Sequence, residues 1–242
     1  MKNNVNNPEH VFVNTRVIIL ILGLITCLLV LLSVISQLLF KPSYPGHIQG
    51  LLVFFNSAAE GNLPTYYSAF LLLCSAFLLL VIRLGEKKRK TKKVKYWIIL
   101  SLGFVYLSID EMLILHEKVS LFIQSITDYS REGIFRSAWV IVYSIPVLIV
   151  ALFYIKFFIQ LDKKTLKTFL LAGILYVGAA MGLEIIENFY AESYGQDLVY
   201  SMMQNLEEGL EMAAIIIFIK GLLDYIAQHF RSLTFEFKHN LK

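Results

Sequence analysis

The segment Val17–Phe40 contains 24 consecutive residues without a charged side chain. A helix rises about 1.5 Å per residue, so this segment is long enough to cross a hydrocarbon core of about 30 Å. It is too long for the apolar core of a signal peptide, and residues 1–16 before it contain no small-residue cleavage pattern. The sequence therefore predicts a membrane-spanning helix that follows a short polar segment.

Five more segments of similar length follow along the chain. The 242 residues are 57% hydrophobic, with a mean hydropathy of +0.65, which is too apolar for a soluble globular domain. Between the first two spans, Pro42, Pro45 and Gly46 indicate a loop with an interfacial turn around Ile48–Phe55. We therefore predict an all-α, polytopic six-helix membrane bundle over residues 17–223. The predicted spans are 17–40, 64–84 (with Pro64 in its first turn), 96–117, 136–158, 168–190 and 199–223.

Two loops carry most of the positive charge. Arg83–Lys95 contains eight basic residues and one acid, and a second basic loop lies between Lys156 and Lys167. Because loops rich in Lys and Arg face the cytoplasm, we expect both termini on the cytoplasmic side of a plasma or inner membrane. Residues 224–242 mix aromatic and polar side chains and are expected to form an amphipathic tail on the inner surface. The expected partner is the lipid bilayer, and no nucleic-acid partner is expected. The sequence leaves open whether the protein forms a homo-oligomer.

Carboxylates occur inside three of the predicted spans. At about 1.5 Å per residue, all of them lie between the middle and the outer edge of the hydrocarbon core. An ionised carboxylate that faces lipid costs several kcal/mol, so we expect these acids to face one another across the bundle. They are Asp110 and Glu111 in the third span, Glu184 and Glu187 in the fifth, and Glu207, Glu208 and Glu211 in the sixth.

Only one cationic side chain, His116, accompanies these acids within the spans. Like charges in a low-dielectric site cannot all stay ionised, so the cluster must be protonated or must bind a cation. The predicted ligands of a divalent metal ion are Asp110, Glu111, Glu184, Glu187, Glu207 and Glu211. Glu208 is the predicted proton carrier, and His116 is a catalytic candidate and a further candidate ligand, although an ideal helix would turn it away from Asp110.

Oxygen-rich ligands favour Mn, Fe, Mg or Ca over Zn. Glu184 and Glu187 do not form the Glu-x-x-His pattern of di-iron bundles, and no zinc-hydrolase motif, phosphate loop or dinucleotide fingerprint occurs. The two cysteines, Cys27 and Cys74, lie in apolar runs and predict no disulfide.

Three functional classes fit these residues. The first is a metal-dependent membrane enzyme, a hydrolase or an oxidoreductase, that acts on a lipid or a lipid-soluble molecule. The second is a transporter or channel for divalent cations or protons, and the third is an ion-responsive sensor or structural subunit in which the acids only pack. Because the sixth span contains no polar group between Glu211 and Lys220, a blind pocket is expected rather than a pore, which favours the enzyme.

Overall fold

A computed structural model of the chain describes residues 14–127 and 136–230, and the regular structure in this part of the chain is entirely helical. A π-helical segment, Gly178–Leu183, joins the seventh and eighth helices of the chain without a break. The helices are α1 Thr15–Leu39, α2 Gly46–Phe55, α3 Leu63–Lys88, α4 Val94–Leu113, α5 Leu115–Ile126, α6 Ala138–Phe158, α7 Lys163–Val177, α8 Glu184–Tyr194 and α9 Leu198–His229.

Five of these helical stretches are long and apolar enough to cross a membrane. They are Thr15–Leu39, Leu63–Lys88, Val94–Leu113, Ala138–Phe158 and the continuous stretch Lys163–Tyr194. The prediction of an all-helical integral membrane protein agrees with this finding. The predicted sixth span lies within α9, which carries five charged residues and is not among the five stretches, so the six-span count stays a prediction.

The predicted third span, 96–117, is longer than the helix that the structure shows there. Its helix α4 ends at Leu113 because Ile114 adopts a left-handed conformation, with φ 54° and ψ 47°. The chain then starts a new helix, α5. The interfacial turn expected around Ile48–Phe55 is the regular helix α2.

Side-chain caps set the starts of four helices, among them α1, where the Asn14 side chain accepts from the backbone N–H of Arg16 at 3.1 Å. The Asn62 side chain accepts from the backbone N–H of Thr65 at 3.2 Å, and Pro64 occupies the first turn of α3 as predicted. Asp162 caps α7 and Asp197 caps α9, each accepting a backbone N–H at 3.0 Å. Burial opposes ionisation of Asp162, but the hydrogen bonds from Thr165 prevail and lower its pKa.

Helix α9 lies at the centre of the bundle and packs against α1, α3, α7 and α8. The loops after α3 and α6 meet at one end of the bundle, where Lys93 Nζ donates to the Gln160 carbonyl at 3.0 Å. We call this the basic end. Beside it lies a buried aromatic core formed by Trp97, Tyr154, Phe157, Phe169, Phe218 and Tyr225. Lipid tails are as apolar as these rings, so close packing rather than exclusion of water stabilises this core.

The opposite end of the bundle, which we call the acidic end, is held by side-chain hydrogen bonds. Asn205 of α9 accepts from Ser33 of α1 at 2.5 Å and from Ser57 at 2.7 Å, and its amide donates to Gln37 at 2.5 Å. All of these hydrogen bonds join one side chain to another. The network fixes α9 two residues before Glu207.

At the basic end, the structure differs from the sequence prediction in two places. Helix α3 continues into the predicted loop, and Glu86 is buried there, accepting from the Tyr225 hydroxyl at 2.9 Å. Residues 224–229 continue α9 instead of starting a separate tail, and Asp224 pairs with Lys220 at 2.9 Å. The rest of the predicted tail, 231–242, and most of the predicted N-terminal segment, 1–13, lie outside the described residues.

Candidate functional site

A cavity of about 480 Å³ opens at the acidic end between α4, α6, α8 and α9. Seven of the eight residues predicted to form the site line it, and the eighth, Glu187, is buried with only 1% of its surface exposed. The structure therefore brings the acids of three separate helices into one region. The seven lining residues are Asp110, Glu111, His116, Glu184, Glu207, Glu208 and Glu211.

Three of these acids form a compact group, which we call the carboxylate triad: Glu184, Glu187 and Glu207. One carboxylate oxygen from each lies within 4.8 Å of the other two. Glu187 and Glu207 are buried, and Glu184 is half-buried. Among the described residues, the Oε1 atom of Glu187 has no hydrogen-bond partner. A buried carboxylate oxygen without a donor is unfavourable, so the triad is a candidate site for a cation.

The helix that carries two members of the triad starts from the π-helical segment. Glu184 and Glu187 are three residues apart at the start of α8 and so lie on one helix face. Glu184 accepts a hydrogen bond from the Ser137 hydroxyl, and the Asn188 amide donates to Ser137 at 2.9 Å. Single-turn π-helical segments occur frequently at functional sites, because the extra residue reorients the side chains that follow.

A second group surrounds the histidine and differs in composition. His116 contacts Asp110 through Nδ1 and Glu60 through Nε2, both at 3.0 Å. The Tyr143 hydroxyl donates to the other Asp110 oxygen at 2.8 Å and lies 2.7 Å from the Tyr106 hydroxyl. We call Glu60, Asp110, His116 and Tyr143 the histidine cluster.

Both ring nitrogens of His116 face carboxylates, which favours the doubly protonated ring. Burial lowers the pKa of His116, but hydrogen bonds to Asp110 and Glu60 prevail and raise it to about 11. An imidazolium has no lone pair to offer a metal ion. This geometry favours a counter-ion role for His116, and its ligand and catalytic roles stay predictions.

The turn at Ile114 explains how His116 reaches Asp110. The expectation that His116 points away from Asp110 assumed an unbroken helix, and it is wrong because the left-handed Ile114 ends α4 and turns α5 back. Gly61, which also has a positive φ of 71°, lies beside this turn, and a Cβ added to it would lie 4.0 Å from the Ile114 side chain. Two unusual backbone conformations therefore bring Glu60 and His116 together.

The remaining predicted acids lie between these two groups. Glu208 interacts electrostatically with Glu111, Glu211 and Glu60, and Glu211 interacts with both Glu111 and Glu184. At the rim, burial raises the pKa of Glu117, while the positive charge of His116 opposes this increase. The cavity thus holds more carboxylates than cations.

Sequence reasoning missed several neutral partners of these acids. Tyr143, Ser137 and Glu60 are not among the predicted site residues. The hydroxyls of Tyr143 and Ser144 are neighbours on a largely apolar helix, and this signal could have identified Tyr143. The structure places Glu60 on His116.

Comparison with known proteins gives one match. A family model described as a domain of unknown function (DUF8692) matches residues 20–226. No curated protein and no solved structure matches the chain.

Proposed function

This chain belongs to the DUF8692 family, and we propose that it is a metal-dependent membrane enzyme that acts on a lipid or lipid-soluble substrate. The observation that carries the proposal is the carboxylate triad, in which three acids from two helices each place a carboxylate oxygen within 4.8 Å of the others, and the buried Oε1 of Glu187 has no hydrogen-bond partner among the described residues. The triad would hold a divalent cation, with Glu211, Glu111 and Asp110 as further ligands around the cavity.

The separation of the triad oxygens fits a shared metal ion. Oxygen ligands lie at about 2.0–2.6 Å from Mg²⁺ or Ca²⁺, so two oxygens on one ion are separated by at most about 4–5 Å. The triad oxygens lie within 4.8 Å of one another. Carboxylates are hard ligands, which favours Mn, Fe, Mg or Ca over Zn.

The residues around the triad suit hydrolytic or oxidative chemistry inside a membrane. A bound ion supplies Lewis acidity, either to a water molecule or to a substrate oxygen. Glu208 lines the same cavity and is the proposed proton carrier. Tyr143, held by Asp110, presents a hydroxyl at the cavity wall that is suited to orienting a polar substrate group.

The packing toward the basic end supports an enzyme rather than a transporter. Over about two helical turns after Glu211, Met212, Ile215 and Ile219 of α9 are buried against Leu71 and Leu72 of α3. The aromatic core fills the interior of the bundle between these residues and the basic end. A pore needs a continuous line of water or oxygen ligands, and the described residues provide none beyond the cavity floor.

We further propose that α9 is a sixth span and that the cavity opens to the outer side. The two basic loops lie together at the end opposite the cavity, as the contact of Lys93 with Gln160 indicates. By the positive-inside tendency that end is cytoplasmic, together with both termini.

Metal analysis of purified protein tests the proposal most directly. Glu187→Gln keeps the shape of the side chain but removes the charge at the centre of the triad, and Glu192→Gln is a matched exposed control on the same helix, α8. Elemental analysis without chelators should find a divalent metal in the wild type and in Glu192→Gln, and little in Glu187→Gln. Metal retained by Glu187→Gln, or absent from the wild type, would disprove the triad as a metal site.

A second measurement separates the enzyme from the transporter. Proteoliposomes loaded with a fluorescent metal indicator should show no protein-dependent influx of Mn²⁺. Influx that depends on Glu187 would overturn the enzyme proposal in favour of transport.

A further inference from the structure

Helix α6 is attached to the bundle only near its two ends. Ala138–Val140 are buried at the acidic end, and Tyr154 and Phe157 are buried at the basic end. Between them, every residue of 141–153 except Tyr143 is exposed. This stretch extends for about 20 Å along the helix axis. Tyr143 bonds to Asp110 and Tyr106 near the acidic end and Phe153 packs on Tyr96 near the basic end, and the exposed residues 144–152 lie between these contacts.

The uncovered stretch of α6 borders the candidate site. Val147 lies in it and lines the same cavity as the carboxylates, opposite Tyr176 and Val177 of α7. Leu107 of α4 and Met181 of the π-helical segment complete this part of the wall. We call these five residues the apolar foot. The cavity therefore has a carboxylate-rich part toward the acidic end and an apolar part beside the gap along α6.

The gap lies at a depth where the surroundings are hydrocarbon. Val147 is followed by Leu148, Ile149 and Val150, which are all exposed, and the Ser144 hydroxyl is already bonded to the Ile141 carbonyl at 2.7 Å. An alkyl chain would match this stretch of α6 and could enter directly from the bilayer.

The charge of the cavity restricts the polar end of such a molecule. Eight carboxylates and two cationic side chains line it, so anionic groups are repelled and hydrogen-bond donors are favoured. We propose that the substrate is a single-chain amphiphile whose alkyl chain lies in the apolar foot and whose amine or hydroxyl head lies among the carboxylates. This inference rests on the proposed enzyme function and names its substrate class.

Photolabelling in lipid nanodiscs tests this inference with a defined probe. The probe is dodecylamine that carries a diazirine at the end of its chain, and the labelled residues are mapped by mass spectrometry. Labelling should concentrate on the apolar foot, saturate with probe concentration, and be displaced by unlabelled dodecylamine but not by dodecyl phosphate. Labelling that does not saturate, or that falls on the lipid-facing residues Leu148 and Leu152, would overturn the inference.

Two neighbouring substitutions provide a matched comparison. Val147→Trp fills the apolar foot and should reduce saturable labelling about ten-fold. Leu148→Trp adds the same ring to the neighbouring exposed position and should leave labelling unchanged. Ala180→Phe, on the opposite wall of the cavity, should reproduce the loss if Val147→Trp does not fold. Equal labelling of all variants would contradict the proposed chain site.

Two further readouts separate the inference from its alternatives. Glu187→Gln should lose metal but still be labelled, so failure of the metal proposal and failure of the chain site give different results. Light scattering of the wild type and Val147→Trp should give the same mass. A change of oligomeric state in Val147→Trp would show that a second copy of the chain covers α6, and would overturn the inference.

Discussion

The histidine cluster and the carboxylate triad lie at the same cavity but satisfy their carboxylates differently. Asp110 is paired with His116 and also accepts from Tyr143, and Glu60 is paired with the other nitrogen of the same ring. In the triad, by contrast, the donors Ser137 and Asn188 both serve Glu184. Within residues 14–127 and 136–230, the protein thus supplies a cation, His116, to the first group and no ion-pair partner to the second.

The size of the repulsion shows why this difference matters. Two ionised carboxylates with oxygens no more than 4.8 Å apart repel by at least about 3 kcal/mol at an effective dielectric constant of about 20. A third acid at the same distance increases this repulsion. The triad is therefore stable only with shared protons or a bound cation, whereas the histidine cluster is balanced by His116. The predictions below test this contrast.

The largest effect is expected from breaking the histidine cluster. Asp110→Asn leaves the imidazolium of His116 with only Glu60, and should lower the free energy of unfolding by about 3 kcal/mol, because it removes one partner of a largely buried ion pair. Glu117→Gln, which changes a cavity-lining acid without a described hydrogen bond, is the control. Chemical denaturation in detergent measures both variants, and equal stability would contradict the counter-ion role of His116.

A similar but opposite effect is expected from adding metal. A divalent cation at about 100 times its dissociation constant should stabilise the wild type by about 2.7 kcal/mol, because it binds only the folded triad. Glu207→Gln should abolish this gain, while Asp110→Asn should keep a substantial part of it. Thermal unfolding with and without Mn²⁺ measures the difference. A gain retained in Glu207→Gln would place the metal elsewhere.

A smaller and more gradual effect is expected at alkaline pH. The pKa of His116 is raised from its ordinary value of 6.5 to about 11, so the stabilisation from its charge is complete below about pH 6.5 and is lost as the pH rises toward 11. Stability should therefore decline across this range in the wild type, and the decline should be weaker in His116→Gln. Imidazole NMR shifts check the charge directly, and a neutral ring at pH 7.5 would contradict this prediction.

The smallest effect is expected at the turn that joins the two parts of the histidine cluster. Ile114 is β-branched and has a φ of 54°, a conformation that costs about 1–3 kcal/mol for such a residue. Ile114→Gly should relieve this strain and offset the added flexibility, with a net change within about 1 kcal/mol. Ile114→Val keeps the strain and is the control. A large loss of stability in Ile114→Gly would show that its side chain, rather than its backbone, holds the turn.

The sequence predicts the spans and the meeting of their acids because both follow from the cost of placing charge in hydrocarbon. Asp110, Glu184 and Glu207 each lie on an apolar helix, and that pattern alone indicates that they face inward. The histidine cluster was not predictable in the same way. A left-handed isoleucine has no local sequence signature, so nothing before the structure indicated that His116 turns back toward Asp110.

The basic end was harder to predict for a related reason. Glu86 stands among Lys and Arg residues, a pattern typical of a solvated loop, and its burial depends on contacts with Tyr225 of α9 and with Thr91 and Arg89. The contacts of the neutral hydrogen-bond donors at the site were hard to predict for the same reason. Ser137 and Asn188 come from different helices, so their joint contact with Glu184 depends on packing that local patterns do not contain.

The π-helical segment makes the triad sensitive to the length of the chain as well as to its composition. Removing one residue from Gly178–Leu183 would restore regular α-helical winding and rotate all of α8 by about 100° relative to α7. Glu184 and Glu187 would then swing away from Glu207 although no acid had been replaced. A one-codon deletion in a stretch of small residues would thus disassemble the candidate metal centre.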